Sequence, residues 1–311
     1  MERVVVKAPS STSNLGAGFD VLGLALDAFA DIVEASYEPE KLKVEVEGVS
    51  KDRINPDPMF NTAGLTAALI LQRFKVEEGV KIKLCKGVPA GSGLGSSGAS
   101  AAGTAFALNT LLGLGLSKLE LVRIAAEGER ASAGAVHADN VAPSIYGGFT
   151  IIYSYDPILV QAYPPVDITF ALAVPSIEKT TKASRAVLPR RVGLNDFVHN
   201  LGGACLAVAA MLRGDPEALG KAMMGDRVVE PRRAPLFKGY VEAKKAALKA
   251  GAYGCTLSGA GPTAIAVVKN REVGEVVSTV MAEAFQEVGI NCKGYVAKPT
   301  GGVKVISTTL V

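Results

Sequence analysis

One stretch, Pro89-Ala90-Gly91-Ser92-Gly93-Leu94-Gly95-Ser96-Ser97-Gly98-Ala99-Ser100, constrains this chain more than any other. It is a loop of small residues that runs straight into an apolar segment. Glycines at 91, 93, 95 and 98 carry no Cβ, so the backbone can take positive φ and come close to an anion. Ser96 and Ser97 suit the N-cap of the helix expected from Ala99 onward. A helix starting there aims free N–H groups and the positive end of its dipole at whatever the loop holds. The stretch therefore reads as a phosphate cradle, with a flexible surface loop as the plainer alternative. Gly93 to Gly98 also fits Gly-x-Gly-x-x-Gly, a weak match by itself, and no Lys-Ser or Lys-Thr follows to make a Walker A loop.

The 311 residues are enough for two domains, with a boundary expected at Pro164-Pro165, giving residues 1–165 and 166–311. A formal charge of +3, with Lys and Arg scattered, argues against nucleic acid as a partner. Cys85, Cys205, Cys255 and Cys292 lie far apart and form no Cys-x-x-Cys. They read as reduced, mostly buried thiols of a cytoplasmic protein. Met1 to Ala8 enters a β-pattern directly, so no signal peptide is expected. The uncharged run Ala99–Leu116 contains Ser100, Thr104, Asn109, Thr110 and three glycines. It fits a helix buried on most sides better than a membrane span.

In chain order, Val4–Ala8 is a strand leading into the Ser/Thr/Asn/Gly turn from Pro9 to Asp20. Val21–Leu26 is a strand or short turn, while Asp31–Glu38 and Leu42–Glu47 alternate like strands of an antiparallel sheet. A helix follows Asn61 or Thr62 as far as Phe74, and Val80–Lys86 is a strand. Ser117-Lys118-Leu119-Glu120 is a capping-box pattern. After Pro165 come a strand at Ile168–Val174, a helix at about Asp196–Leu212, a helix at Asn270–Val288 and a strand at Gly302–Ser307. Alternation of this kind predicts a split βαβ layer. The apolar, helix-rich second half is compatible with a homodimer.

Pro89 to Ser100 resembles the second signature of the GHMP kinases, the superfamily of the galactose, homoserine and mevalonate kinases. Lys7 to Asp20, with Asn14 and Asp20, resembles the first signature as homoserine kinases carry it. His137-Ala138-Asp139-Asn140, closed by Gly147-Gly148, resembles the same branch, and Thr256 to Thr263 the third signature. The resemblance covers nearly the whole chain. It implies an α+β, two-domain fold with an N-terminal ATP-binding domain and a C-terminal ferredoxin-like split βαβ domain. Carried over by position, Pro89, Gly91, Ser92, Gly93, Leu94, Gly95, Ser96, Ser97 and Asn61 would contact the nucleotide, though Asn61 suits a plain N-cap equally well. Ser97 and Glu129 would hold Mg²⁺, with Glu127 as competitor. Asn14, Asp20, His137, Asn140, Arg185, Arg233 and Gly259 would meet the second substrate, with Arg232 as an alternative to Arg233. His137 by itself reads as a packed histidine.

The resemblance implies ATP- and Mg²⁺-dependent phosphorylation of the side-chain hydroxyl of L-homoserine, on the route to threonine. The chemistry of a zwitterionic alcohol agrees. It asks for an acid such as Asp20 on one side and forked arginines such as Arg185 and Arg233 on the other. An archaeal-type shikimate kinase is the nearest alternative, but shikimate offers Asp20 no ammonium. A non-catalytic nucleotide-binding module would not need Ser97, Glu129 and Asn140. A nicotinamide oxidoreductase would need an acid about 20 residues past the glycines, ending a second strand. Seven residues before Gly147, where mevalonate kinase has a catalytic Asp, this chain has Asn140. An amide can orient a hydroxyl but cannot take its proton as a carboxylate does, so Asn140, Ser97 and Glu129 are expected to work by positioning and charge.

Overall fold

The computed structural model describes residues 2–39, 41–134, 136–177 and 181–309. The first half supplies β1 (Arg3–Asn14), β2 (Gly18–Tyr37), β3 (Leu42–Gly48), β4 (Val80–Lys86), β5 (Phe149–Tyr155) and β6 (Ile158–Tyr163). Its helices are α1 (Thr62–Arg73), α2 (Ser96–Leu111), α3 (Lys118–Gly128), α4 (Arg130–Ala133) and α5 (Val141–Tyr146). The two segments read as Val21–Leu26 and Asp31–Glu38 are halves of one 20-residue strand, β2. A break in its register with β1, where Pro9 faces Ala30 and Ser10 faces Leu26, separates them. The far half of β2 pairs with β4 and the near half with β5, both antiparallel. The expectation that Leu42–Glu47 joins an antiparallel sheet is corrected, because β3 lies parallel to β4. The reason is α1: a helix between two strands carries the chain back to the same end of the sheet, which makes the pair parallel.

The helix α2 packs across β1 and β2, and its buried residues include Ala99, Ala101, Ala102, Gly103, Ala105, Ala107 and Leu108. Small side chains let it sit close to the sheet. A Cβ on Gly103 would come within 2.6 Å of Val33 Cγ2. The uncharged segment is thus a core helix, apolar on most sides because nearly every side is covered. No described helix is long and apolar enough to cross a membrane.

The second half contributes β7 (Thr169–Pro175), α6 (Thr181–Ala186), α7 (Leu194–Arg213), α8 (Pro216–Met223) and α9 (Glu230–Arg233). It continues with α10 (Tyr240–Lys249), β8 (Gly254–Leu257), β9 (Ala264–Val268), α11 (Arg271–Glu287) and β10 (Cys292–Ala297). The four strands run in the order β10-β7-β9-β8 with every neighbouring pair antiparallel. That is the split βαβ arrangement expected from the alternation. The final strand, β11 (Lys304–Thr309), returns to the first sheet and pairs with β1, completing seven strands there. Two of the four thiols, Cys85 and Cys205, are exposed rather than buried. Cys85 lies on the outward-facing alternation of β4, and Cys205 on the outer side of α7.

Candidate active site

The cradle is the connection from β4 to α2, and its backbone requires glycine. Gly91, Gly93 and Gly95 have φ of 72°, 81° and 66°, a region that side-chain-bearing residues seldom enter. Space excludes a side chain as well. A Cβ would lie 2.4 Å from the Ser258 carbonyl oxygen at Gly93, and 2.0 Å from Ser11 Oγ at Gly95. The helix begins at Ser96 with Gly95 as its N-cap, so the expectation that Ser96 and Ser97 cap it is corrected. Their hydroxyls are used elsewhere: Ser96 Oγ donates to the Val88 carbonyl (2.9 Å) and Ser97 Oγ to Glu129 Oε2 (3.0 Å). No side chain caps α2, which leaves its first N–H groups facing the cleft as an anion site. Pro89, Ser92 and Leu94 brace the loop from behind. Ser92 Oγ donates to the Pro89 carbonyl (2.8 Å), and the carbonyl of fully buried Leu94 accepts from Ser11 N–H (3.0 Å).

Beneath the cradle lies a buried ion pair that the sequence reading missed. Lys86 Nζ pairs with Asp31 and also donates to the Ser96 carbonyl (2.8 Å) and Ser100 Oγ (2.9 Å). Asp31 accepts from the N–H groups of Gly87 and Val88 at 3.0 Å each. Burial pushes the Lys86 ammonium down, and the charge of Asp31 opposes this. The available signal was a lysine closing an apolar strand immediately before a glycine loop.

The acidic wall comes from the junction of α3 with α4 and from the segment before α5. Glu129 is buried, and its carboxyl is pushed up to about 7, chiefly by burial, with the Ser97 hydrogen bond pulling the other way. Glu127, the competing choice, points elsewhere and pairs with Arg130 at 2.9 Å on the exposed side of α3. His137 and Asp139 are buried on the cleft wall. His137 Nε2 and Asp139 Oδ1 have no hydrogen-bond partner among the described residues. Burial raises the Asp139 carboxyl above its ordinary range, and the nearby charge of Asp20 raises it further. Asn140 is held by two serines of β1: Oδ1 accepts from Ser11 Oγ (3.1 Å) and Nδ2 donates to Ser13 Oγ (3.2 Å).

At the opposite end Asn14 and Asp20 both occupy the left-handed region, with φ of 75° and 59°. Asn14 Oδ1 accepts from Asp20 N–H (3.1 Å), and its Nδ2 donates to the Gly259 carbonyl (3.0 Å). The expected separation of acid from arginines is not what the structure shows. Arg185 Nη2 donates to both oxygens of Asp20, at 2.9 and 2.8 Å. Arg185 is carried by α6 and Asp20 by the start of β2, and both line the same cleft. Arg233 is 3% exposed and donates to the carbonyls of Ser184 (3.1 Å) and Gly259 (2.9 Å), whereas Arg232 faces solvent. Both Arg185 and Arg233 lie over the ring of Phe19, at 5.4 and 5.2 Å from its centroid. Burial lowers the Arg233 guanidinium to about 10, and the charge of Asp20 opposes that shift. Phe19 and Tyr155, whose hydroxyl donates to the Asp20 carbonyl (2.8 Å), were not anticipated.

These groups share one cleft of about 760 Å³ between the two sheets. It brings together Asn14, Asp20, Asn61, Gly91, Gly93, Gly95, Ser96, Ser97, Glu129, His137, Asn140, Arg185, Arg233 and Gly259, while Pro89, Ser92 and Leu94 stay behind the loop. Asn61 caps α1, with Oδ1 accepting from Ala63 N–H (2.9 Å) and Gly64 N–H (3.2 Å), and it lines the cleft at the same time. The paired hard oxygens of Ser97 and Glu129 suit Mg²⁺, which takes one or two protein oxygens and fills its shell with phosphate and water. Burial that resists ionisation of Glu129 makes a cation the natural partner for its charged form.

Comparison with known proteins agrees with this arrangement. Residues 61–148 match the N-terminal domain of the GHMP kinases and residues 207–287 their C-terminal domain. A homoserine kinase of Methanococcus maripaludis is 43% identical over 305 residues, 98% of this chain and 99% of its own. One from Arabidopsis thaliana is 43% identical over 291 residues, 91% of this chain and 78% of its own. The crystal structure of homoserine kinase from Cytophaga hutchinsonii superimposes with a TM-score of 0.92 at 36% identity, covering 98% of both chains.

Proposed function

Because the chain belongs to the GHMP kinases, and among them to the homoserine kinases, we propose a division of labour for the residues of its cleft. The reaction is transfer of the γ-phosphoryl group of ATP to the side-chain hydroxyl of L-homoserine, giving O-phospho-L-homoserine for threonine biosynthesis. The uncapped start of α2, with Gly91, Gly93 and Gly95, receives the triphosphate. Asn61 borders the nucleotide at the outer end. Ser97 and Glu129 hold Mg²⁺, which when bound neutralises charge on the phosphate oxygens.

Asp20 receives the ammonium of homoserine. Arg185 and Arg233 receive its carboxylate, while Asn14 and the Gly259 carbonyl hold the turn that carries them. His137 offers to the substrate its Nε2, which has no partner among the described residues. Asn140, fixed by Ser11 and Ser13, aims the hydroxyl at the γ-phosphorus. The new O–P bond forms as the bond to the ADP oxygen breaks, and the hydroxyl proton leaves late, to an oxygen of the transferred group. A loose transition state needs little prior deprotonation of the nucleophile, so orientation and charge suffice. Asp139 supports the wall and is not the base.

The observation that carries this reading is the placement of the glycine cradle and the Asp20–Arg185–Arg233 cluster in a single cleft. A cytoplasmic location suits a protein whose thiols Cys85 and Cys205 are exposed and free. The test is ADP release from ATP with homoserine, mevalonate, shikimate, galactose or no acceptor. Homoserine alone should stimulate turnover; equal stimulation by shikimate would displace it as the substrate.

A further inference from the structure

Phe19 belongs to neither apolar core of the molecule. It lies at the start of β2, between Gly18 and the left-handed Asp20, and it lines the cleft. The backbone on both sides is fixed. Asn14 Oδ1 holds the Asp20 N–H at 3.1 Å, and a Cβ on Gly18 would come within 2.7 Å of the Asn14 carbonyl oxygen. An aromatic side chain that packs in no core, yet stands on so rigid a turn, has its ring available for another task.

What the ring meets is charge. The guanidinium carbons of Arg185 and Arg233 lie 5.4 and 5.2 Å from its centroid, inside the roughly 6 Å reach of a cation–π contact. They are carried by α6 and α9, so one ring of the first half gathers two cations from the second. Hydrogen bonds match neither cation fully. Arg233 is buried, and its only acceptors among the described residues are two uncharged carbonyls, those of Ser184 and Gly259. Arg185 Nε is buried and has no partner among the described residues. Two guanidiniums over one ring also repel, and the charge of Arg185 adds to burial in lowering Arg233. A buried charge needs compensation. The negative face of an aromatic ring supplies it.

We propose that Phe19 is a positioning residue for the substrate carboxylate, its ring holding Arg185 and Arg233 together as one fork. The inference rests on the assignment of the carboxylate to these two arginines. It accounts for a step that the hydrogen bonds leave open. Arg185 is bonded to both oxygens of Asp20. When the ammonium of homoserine takes that carboxylate, the ring keeps the Arg185 guanidinium in the cleft. Phenylalanine carries no oxygen or nitrogen on its ring, so it does not compete with the substrate for the released donors.

Fluorination tests this, because it changes the charge on the ring face far more than the ring's shape. Mono-, di- and trifluorinated phenylalanines in place of Phe19 should raise the KM for homoserine stepwise, to about 10-fold for the last. The kcat and the KM for ATP should stay within about threefold, since the loss is one of substrate binding. Phe19→Leu should raise the KM for homoserine at least as far, with thermal denaturation still showing one cooperative transition. For 3-aminopropanol, which has no carboxylate, kcat/KM should stay within about threefold across the series. A flat fluorine series, with Arg233→Lys still defective for homoserine, would overturn the proposal and leave the carboxylate assignment standing. A parallel fall for 3-aminopropanol and homoserine would overturn it too. An unchanged KM for homoserine in Arg233→Lys would overturn the assignment and the proposal with it.

Discussion

Two arginines adjacent in sequence separate cleanly once their surroundings are known. Arg233 is buried over Phe19 and bonded to the Ser184 and Gly259 carbonyls, while Arg232 is exposed. Arg233→Lys should therefore raise the KM for homoserine by about 30-fold or more, roughly 2–4 kcal/mol for a desolvated charge pair, because an ammonium cannot replace a planar fork. The KM for ATP should stay within about threefold, and Arg232→Lys should change neither. Steady-state kinetics with each substrate varied in turn makes the check, and a homoserine defect confined to Arg232→Lys would move the carboxylate site by one residue. Asn140 and Asp139 form a second such pair. Asp139→Asn should keep at least about a tenth of wild-type kcat, whereas Asn140→Leu should lose more than about 100-fold with ATP binding intact by calorimetry. The reverse order of losses would reinstate a general base. These distinctions were only partly legible in the sequence. It could name Arg232 and Arg233, or Glu127 and Glu129, as candidates, but choosing within each pair depends on which way a short helix turns. The Lys86–Asp31 pair stayed hidden because its partners lie 55 residues apart and meet only through strand register.

At the level of elements, the glycine cradle was the most legible feature, since positive φ and close approach leave few other residues a place. Gly95→Val should abolish detectable ATP binding, because its Cβ alone would already sit 2.0 Å from Ser11 Oγ, at a φ of 66°. The protein should remain folded, with overpacking and strain costing about 1–3 kcal/mol of stability. Calorimetry should show no ATP heat while thermal denaturation still shows one cooperative transition. Unaltered ATP affinity would remove this loop from the nucleotide site. Less legible were the start of α2 and the pairing sense of β3. Ser96 and Ser97 are good caps by type, yet the left-handed Gly95 begins the helix before them and commits their hydroxyls to Val88 and Glu129. Alternating strands look the same in either direction, and only the α1 crossover makes β3 and β4 parallel.

On the scale of the whole molecule, the cleft exists because two sheets meet. The cradle and Asn140 belong to the first, while Arg185, Arg233 and Gly259 arrive with the second, stitched across by Ser258 Oγ, which donates to the Gly93 carbonyl (2.7 Å) and accepts from the Thr12 hydroxyl (2.9 Å). The sequence pattern supported two α/β units in that order, but not the return of β11 to the first sheet, which depends on a pairing across nearly the full chain. Nor could it show Asp20 and Arg185 already bonded across the cleft. The central claim is that this junction selects an alcohol by its two charges, one read by Asp20 and the other by the arginines. The most direct measurement compares ATP-dependent phosphorylation of homoserine with that of 4-hydroxybutyrate, which lacks the ammonium, and 3-aminopropanol, which lacks the carboxylate. Loss of either charge should lower kcat/KM by about 30-fold or more, since one of the two charge-assisted contacts between substrate and cleft is then missing. Equal kcat/KM for all three alcohols would contradict the account.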